Sequence, residues 1–109
     1  MNPMTLEEKR NLAWVGDAVL ALFARRWILQ QTSIPNKERA EVFQAMTSNE
    51  FLSHFGEPTK IECEIGILFE NEGLTEANNY IETHLLPNFV KKQKQNKQPG
   101  RFSRKKSSK

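Results

Sequence analysis

The sequence has a single cysteine, Cys63, among 109 residues. One cysteine cannot form a disulfide within the chain, which excludes the small disulfide-stabilised secreted class and favours a reducing compartment. No apolar run approaches the roughly 18 residues that a membrane-spanning helix needs, and the N-terminus lacks the pattern of a signal peptide. We therefore expect a cytoplasmic protein with no membrane partner, in which Cys63 is a small buried hydrophobic residue rather than a reactive thiol.

Stretches that alternate polar and apolar residues are also missing, so the sequence predicts no β-strand. Apolar residues recur at helical spacing instead, and at 38 % of the chain they suffice for one small core. We expect a single all-α domain in which Gly73 ends the third helix and Pro87 kinks or ends the fourth. The predicted helices begin at Thr5, Asn36, Thr59 and Leu74.

Acidic residues are absent after residue 90, whereas residues 91–109 contain nine lysines or arginines. Residues 1–90 carry seven such cations against thirteen acids. The sequence thus predicts a helical domain over residues 1–90 and a flexible, disordered basic tail over residues 91–109. Such a tail would bind nucleic acid in a salt-dependent way, or it would fold back on the acidic domain or merely aid solubility. The cations that we assign to RNA binding are Lys91, Lys92, Lys94, Lys97, Arg101, Arg104, Lys105 and Lys106.

Asp17 is a lone carboxylate in the nearly apolar run of residues 12–20. A buried carboxylate is unfavourable unless it is paired, binds a metal or takes up a proton. The residues one helical turn away offer no partner. An ion pair with Arg25, Arg39 or Lys60 is one solution, and a metal is the other.

Two glycines inside predicted helices, Gly16 and Gly66, indicate a close helix crossing, because a helical glycine costs about 1 kcal/mol relative to alanine. Such a crossing brings Asp17 within reach of Glu62. Two carboxylates that close need a cation between them or a shared proton, and oxygen ligands favour Mg²⁺ or Mn²⁺. The alternative is local, since Thr59 and Glu62 also form a capping-box pattern.

Three stretches resemble motifs of the ribonuclease III family. Residues 12–20, LAWVGDAVL, resemble its signature helix, which carries a metal-binding aspartate. Residues 47–52, TSNEFL, resemble its Val-Ser-Asn-Glu-x-Leu helix, and residues 62–69, ECEIGILF, resemble its Glu-Ala-Leu-Ile-Gly-x-x-Tyr segment. The likeness covers residues 10–90 in order.

The resemblance implies a shortened ribonuclease III-like helical domain that forms a homodimer and hydrolyses double-stranded regions of structured RNA with Mg²⁺ or Mn²⁺. Asp17 and Glu62 match two of the four core metal-site acids of the family and are the expected catalytic and metal-binding residues. The other two positions hold Ala13 and Thr59, as in the mini-ribonuclease III branch, which lacks a double-stranded-RNA-binding domain. Trp14 matches an aromatic position at the dimer interface, although it is also suited to an ordinary core.

Further acids would supplement this pair, and Glu38 and Glu64 are the auxiliary candidates. Without them, the alternative function is a catalytically inactive ribonuclease III-like module that binds RNA or sits in a ribonucleoprotein. The two histidines, His54 and His84, lie in different predicted helices and are expected to be surface or packing residues.

Overall fold

The computed structural model describes the backbone of residues 4–96 and the side chains of residues 4–94, and this part of the chain contains helices and no strand. The all-α prediction is therefore confirmed for these residues. The elements are α1 (Leu6–Gln30), a 3₁₀ helix (Asn36–Glu38), α2 (Arg39–Thr47), α3 (Asn49–Leu52), α4 (Pro58–Glu72), α5 (Leu74–Tyr80), a π-helical turn (Ile81–Leu85) and α6 (Leu86–Asn96).

The first helix begins at the predicted capping box. The Thr5 hydroxyl accepts a hydrogen bond from the Glu8 backbone N–H at 3.0 Å, and the Glu8 carboxylate accepts one from the Thr5 N–H at 2.8 Å. Two N–H groups that have no partner within the helix are thereby satisfied. The start of α1 was thus predictable from four residues of sequence.

The second predicted helix is divided in two by Ser48. This residue is extended, with φ −75° and ψ 152°, and its hydroxyl caps α3 by accepting a hydrogen bond from the Phe51 N–H at 3.0 Å. The apolar spacing continues across the break, because Met46, Phe51 and Leu52 are all buried. Periodicity alone therefore predicted one helix where the structure has two.

The third predicted helix is α4, which begins at Pro58, one residue before the predicted start, and ends at Glu72 with Gly73 as its C-cap, as predicted. Proline suits the first turn, since its missing N–H would have no partner there. Gly73 has φ +95°, which side chains other than glycine rarely adopt, and its N–H reaches the Phe69 carbonyl at 2.9 Å.

Of the two outcomes predicted at Pro87, a kink or the end of the helix, the second does not occur, because α6 continues to Asn96. A proline ring clashes with the carbonyl four residues earlier in a regular helix, here that of Thr83. The structure has a π-helical turn at this point, in which the Leu86 N–H bonds to the Ile81 carbonyl five residues back. This wider turn accommodates the ring and lets the helix continue.

The predicted boundary between domain and tail therefore falls inside α6. Lys91, Lys92 and Lys94 lie on that helix, so the first residues of the predicted tail are helical in the structure. Lys91 and Lys94 are exposed, whereas Lys92 is partly buried with its Nζ 2.6 Å from His54 Nε2. The remaining cations assigned to RNA binding, Lys97, Arg101, Arg104, Lys105 and Lys106, lie outside the described residues.

The core forms where α1 packs along α4, with α2 and α5 beside them. Phe89 fixes the first turns of α6 by edge-to-face contacts with Trp27 at 6.0 Å and Phe51 at 5.4 Å. Cys63 is buried, as predicted for a small hydrophobic residue. Within residues 4–96 no helix is both long enough and apolar enough to cross a membrane. The fully buried large side chains are Leu20, Leu52, Ile65, Ile81 and Leu85.

Candidate active site

The crossing of α1 and α4 is built on the two glycines that the sequence singled out. A Cβ atom added at Gly16 would overlap the carbonyl oxygen of Glu62, and one added at Gly66 would overlap that of Leu12. The two backbones are therefore in direct contact, which only glycine permits at both positions. The predicted crossing is confirmed.

The crossing opens a cleft of about 420 Å³ in which Asp17 and Glu62 meet. Glu62 is partly buried against α1, whereas Asp17 is exposed. The expectation of a buried Asp17 is thus wrong: its helix presents it at the open side of the crossing. The residues that line the cleft are Arg10, Ala13, Trp14, Asp17, Thr59 and Glu62.

The two carboxyl groups interact strongly. Burial, the negative charge of Asp17 and a hydrogen bond with the Asp17 side chain together raise the pKa of Glu62 from 4.5 to about 7. Burial is the largest of these causes, and the neighbouring Asp17 carboxyl group adds to it by disfavouring the charged form of Glu62. The pair therefore takes up a proton near neutral pH, and a cation would relieve the same repulsion.

The local alternative for Glu62 does not occur. The N-cap of α4 is Glu57, and no side chain caps this helix end. Thr59 lies inside the helix and lines the cleft beside Glu62. Glu62 is consequently free of the capping role and is available to Asp17.

The three cations considered as partners of Asp17 line other pockets. Arg25 and Arg39 line one between α1 and α2, and Lys60 lines one on the far side of α4. The cation that does line the cleft is Arg10, which sequence reasoning missed. The signal was its position seven residues before Asp17, since residues seven apart share a face of a helix.

Neither auxiliary candidate is among the residues that line the cleft. Glu64 accepts a hydrogen bond from the Tyr80 hydroxyl at 3.0 Å in a separate pocket. Burial and the neighbouring Glu64 raise the pKa of Tyr80 to about 12, which keeps the hydroxyl protonated as the donor. Glu38 ends the 3₁₀ helix before α2. The described residues contain no group of three or more acids, histidines or cysteines placed to hold a metal, and the auxiliary role of Glu38 and Glu64 stays a prediction.

Trp14 stands at the edge of the cleft with 79 % of its side chain exposed, so the core alternative for this residue is wrong. Ala18, one turn further along α1, is also exposed. Leu22 follows on the same face and is 39 % exposed. We call Trp14, Ala18 and Leu22 the α1 stripe.

Comparisons of the chain with protein-family models, with curated proteins and with solved structures found no match. The resemblance to the ribonuclease III family thus stays a prediction that rests on the sequence motifs.

The raised pKa of Glu62 predicts that the protein loses stability as the pH rises. The folded state binds a proton that the unfolded state releases, so this contribution is complete below pH 4.5 and is lost as the pH passes about 7. We expect a loss of about 1 kcal/mol, because the partly exposed pair is screened by solvent. Denaturant unfolding across this range measures it.

Glu62→Gln should remove this part of the pH dependence, and Glu64→Gln on the same helix should leave it in place. Equal pH profiles for the wild type and Glu62→Gln would contradict the coupling of the two carboxyl groups.

Proposed function

We propose that this protein is a metal-dependent endoribonuclease that hydrolyses phosphodiester bonds in double-stranded regions of structured RNA. The observation that supports this function is the meeting of Asp17 and Glu62 in one open cleft. The proposal joins that geometry to the sequence motifs of residues 12–20, 47–52 and 62–69.

The residues of the cleft fit a divalent cation. Mg²⁺ is commonly held through one or two carboxylates, with water completing its coordination. Asp17 and Glu62 would hold it, because burial and the neighbouring Asp17 raise the pKa of Glu62 and a cation would relieve the repulsion between the two carboxylates. When bound, Mg²⁺ supplies charge stabilisation to the phosphate and lowers the pKa of a bound water.

The remaining side chains of the cleft suit a polyanionic substrate. Arg10 lies on the same wall as Asp17, and a guanidinium group binds phosphate oxygens through paired N–H donors. It would hold the phosphate beside the carboxyl pair. Among the described residues, the rest of the cleft lining is Ala13, Trp14 and Thr59, which adds no further acid to repel the RNA backbone.

A cleavage assay tests this function directly. With Mg²⁺, the wild-type protein should cut a long RNA duplex and leave 5′-phosphate and 3′-hydroxyl ends, and EDTA should stop the reaction. RNA that is bound but stays intact in both Mg²⁺ and Mn²⁺ would contradict the proposal.

The proposed partner besides RNA is a second copy of the chain. The α1 stripe exposes several apolar side chains on one helix face, and contiguous exposed apolar surface marks interaction sites. Association through the stripe would bury Trp14, the residue type most frequent among interface hot spots.

Trp14→Ala should therefore weaken a homodimer by about 30-fold, which corresponds to about 2 kcal/mol. Sedimentation equilibrium measures the dissociation constant. Leu6→Ala is the matched control, because Leu6 is 64 % exposed but lies outside the stripe. A wild-type protein that stays monomeric at high concentration would rule out the dimer.

A second candidate function is an inactive RNA-binding module. The observation in its favour is that the cleft joins two acids, and the described residues offer no third. In that case the basic residues would bind RNA, and Asp17 and Glu62 would not catalyse its hydrolysis.

Removal of residues 97–109 separates the two functions. It deletes six lysines or arginines and preserves α6, which ends at Asn96. RNA affinity should fall, and its salt dependence should weaken by about 0.9 in log–log slope for each phosphate that these cations neutralise in the wild type. Cleavage at low salt should persist in an enzyme, and an unchanged salt slope would contradict an RNA-binding role for these residues.

A further inference from the structure

A second pocket, of about 320 Å³, lies between the end of α1 and the start of α2. Its volume is at the lower end of the range for small-ligand pockets, roughly 300–1,000 Å³. The residues that line it are Arg25, Ile28, Leu29, Arg39, Ala40 and Phe43.

The charged side chains that line this pocket are all positive. Arg25 and Arg39 are its only ionisable residues among those described, and no carboxylate lines it. The Arg25 guanidinium lies 4.3 Å above the centre of the Phe43 ring, a cation–π contact that holds it at the pocket wall. An anion would therefore meet a cation that is already in place.

Arg39 brings a second guanidinium group to the pocket. Its Nε atom is buried and has no hydrogen-bond partner among the described residues. A guanidinium cannot lose its proton to escape this situation, and a buried donor without an acceptor is unfavourable. Because Nε itself is covered, an oxyanion would bind the terminal nitrogens of Arg39, and its negative charge would stabilise this guanidinium.

The rest of the pocket is apolar. Ile28, Leu29, Ala40 and Phe43 form its walls, and Leu29 is 62 % exposed. A fully hydrated ion such as free phosphate would leave these walls in contact with water. A ligand with an apolar body would cover them and gain free energy from their burial.

We propose that this pocket binds a small amphipathic oxyanion, namely a carboxylate or phosphomonoester on an aromatic or branched aliphatic body. Two guanidinium groups bind its oxygens, and the apolar walls bind its body. The inference is independent of the proposed ribonuclease function, because Arg25 follows Asp17 by eight residues, about 12 Å along α1.

Isothermal titration of the full chain with four probes tests the inference. Phenyl phosphate and benzoate combine charge with an aromatic body, inorganic phosphate lacks the body, and benzyl alcohol lacks the charge. At least one of the first two should bind about tenfold more tightly than inorganic phosphate and benzyl alcohol. The relative affinities of phenyl phosphate and benzoate show whether the pocket prefers phosphate or carboxylate.

Arg39→Gln should weaken binding of the preferred probe by at least about tenfold. Arg26→Gln is the matched control, because Arg26 is exposed on the same helix as Arg25 and does not line the pocket. Circular dichroism checks the fold of each variant, and Arg25→Gln carries the same test if Arg39→Gln fails to fold. The proposal is overturned by an absence of saturable binding, by equal affinity for inorganic phosphate, or by a folded arginine variant that binds as the wild type does.

Discussion

Gly16→Ala is expected to destabilise the protein by about 3 kcal/mol or more, a large share of the stability of a domain this size. The new Cβ atom would overlap the Glu62 carbonyl oxygen, which belongs to the backbone of α4 and cannot rotate away. The two helices would have to separate, and the cleft between them would lose its shape.

The expected loss of stability is opposite in sign to the usual effect of replacing a helical glycine by alanine. At an open helical position, glycine to alanine stabilises by about 1 kcal/mol. Asn11→Ala is the matched control, because Asn11 is exposed on the same helix and its replacement should change stability by less than about 0.5 kcal/mol. Denaturant unfolding followed by circular dichroism measures both variants. A Gly16→Ala protein as stable as the wild type would show that the helices do not touch there.

Asp17→Asn is expected to lower Mg²⁺-dependent cleavage of an RNA duplex by at least about 100-fold, or about 2.7 kcal/mol of transition-state stabilisation. The amide keeps the shape of the side chain but removes the negative charge that pairs with the cation. Because Asp17 is exposed, the fold should not depend on it. RNA binding should stay close to that of the wild type.

The control for this variant is Glu64→Gln. Glu64 lies on the same helix as Glu62, but its carboxylate accepts a hydrogen bond from Tyr80 in another pocket. Its replacement should leave cleavage within about threefold of the wild type. Equal cleavage by Asp17→Asn and the wild type would show that Asp17 takes no part in the reaction.

The sequence predicted two kinds of feature. The first has a local cause, and the second is signalled by a residue that is unfavourable in its helix unless another part of the chain contacts it. The capping box of Thr5 and Glu8 satisfies backbone groups by itself, so four residues sufficed. Gly16 and Gly66 are unfavourable in a helix unless another backbone approaches, and both do meet one. The same glycines predicted that Asp17 comes within reach of Glu62, and the capping alternative for Glu62, which spacing alone left open, does not occur in the structure.

Features that depend on neighbouring elements were not predictable. The density of apolar residues around Asp17 predicted burial, but whether α4 covers one side or both of α1 is decided by packing. A proline is compatible both with the end of a helix and with a helix that widens to a π turn, so Pro87 alone did not predict which occurs. The pocket of Arg25 and Arg39 joins residues from two helices that no motif connects.

The most direct test of the central claim, that Asp17 and Glu62 form a divalent-cation site, is a Mn²⁺ titration followed by electron paramagnetic resonance. Above pH 7, where Glu62 is deprotonated, the wild type should bind one Mn²⁺ per chain in competition with Mg²⁺. Asp17→Asn and Glu62→Gln should each lose this binding, while Glu64→Gln should retain it. Absence of saturable Mn²⁺ binding by the wild type, or binding that survives in both Asp17→Asn and Glu62→Gln, would contradict the claim.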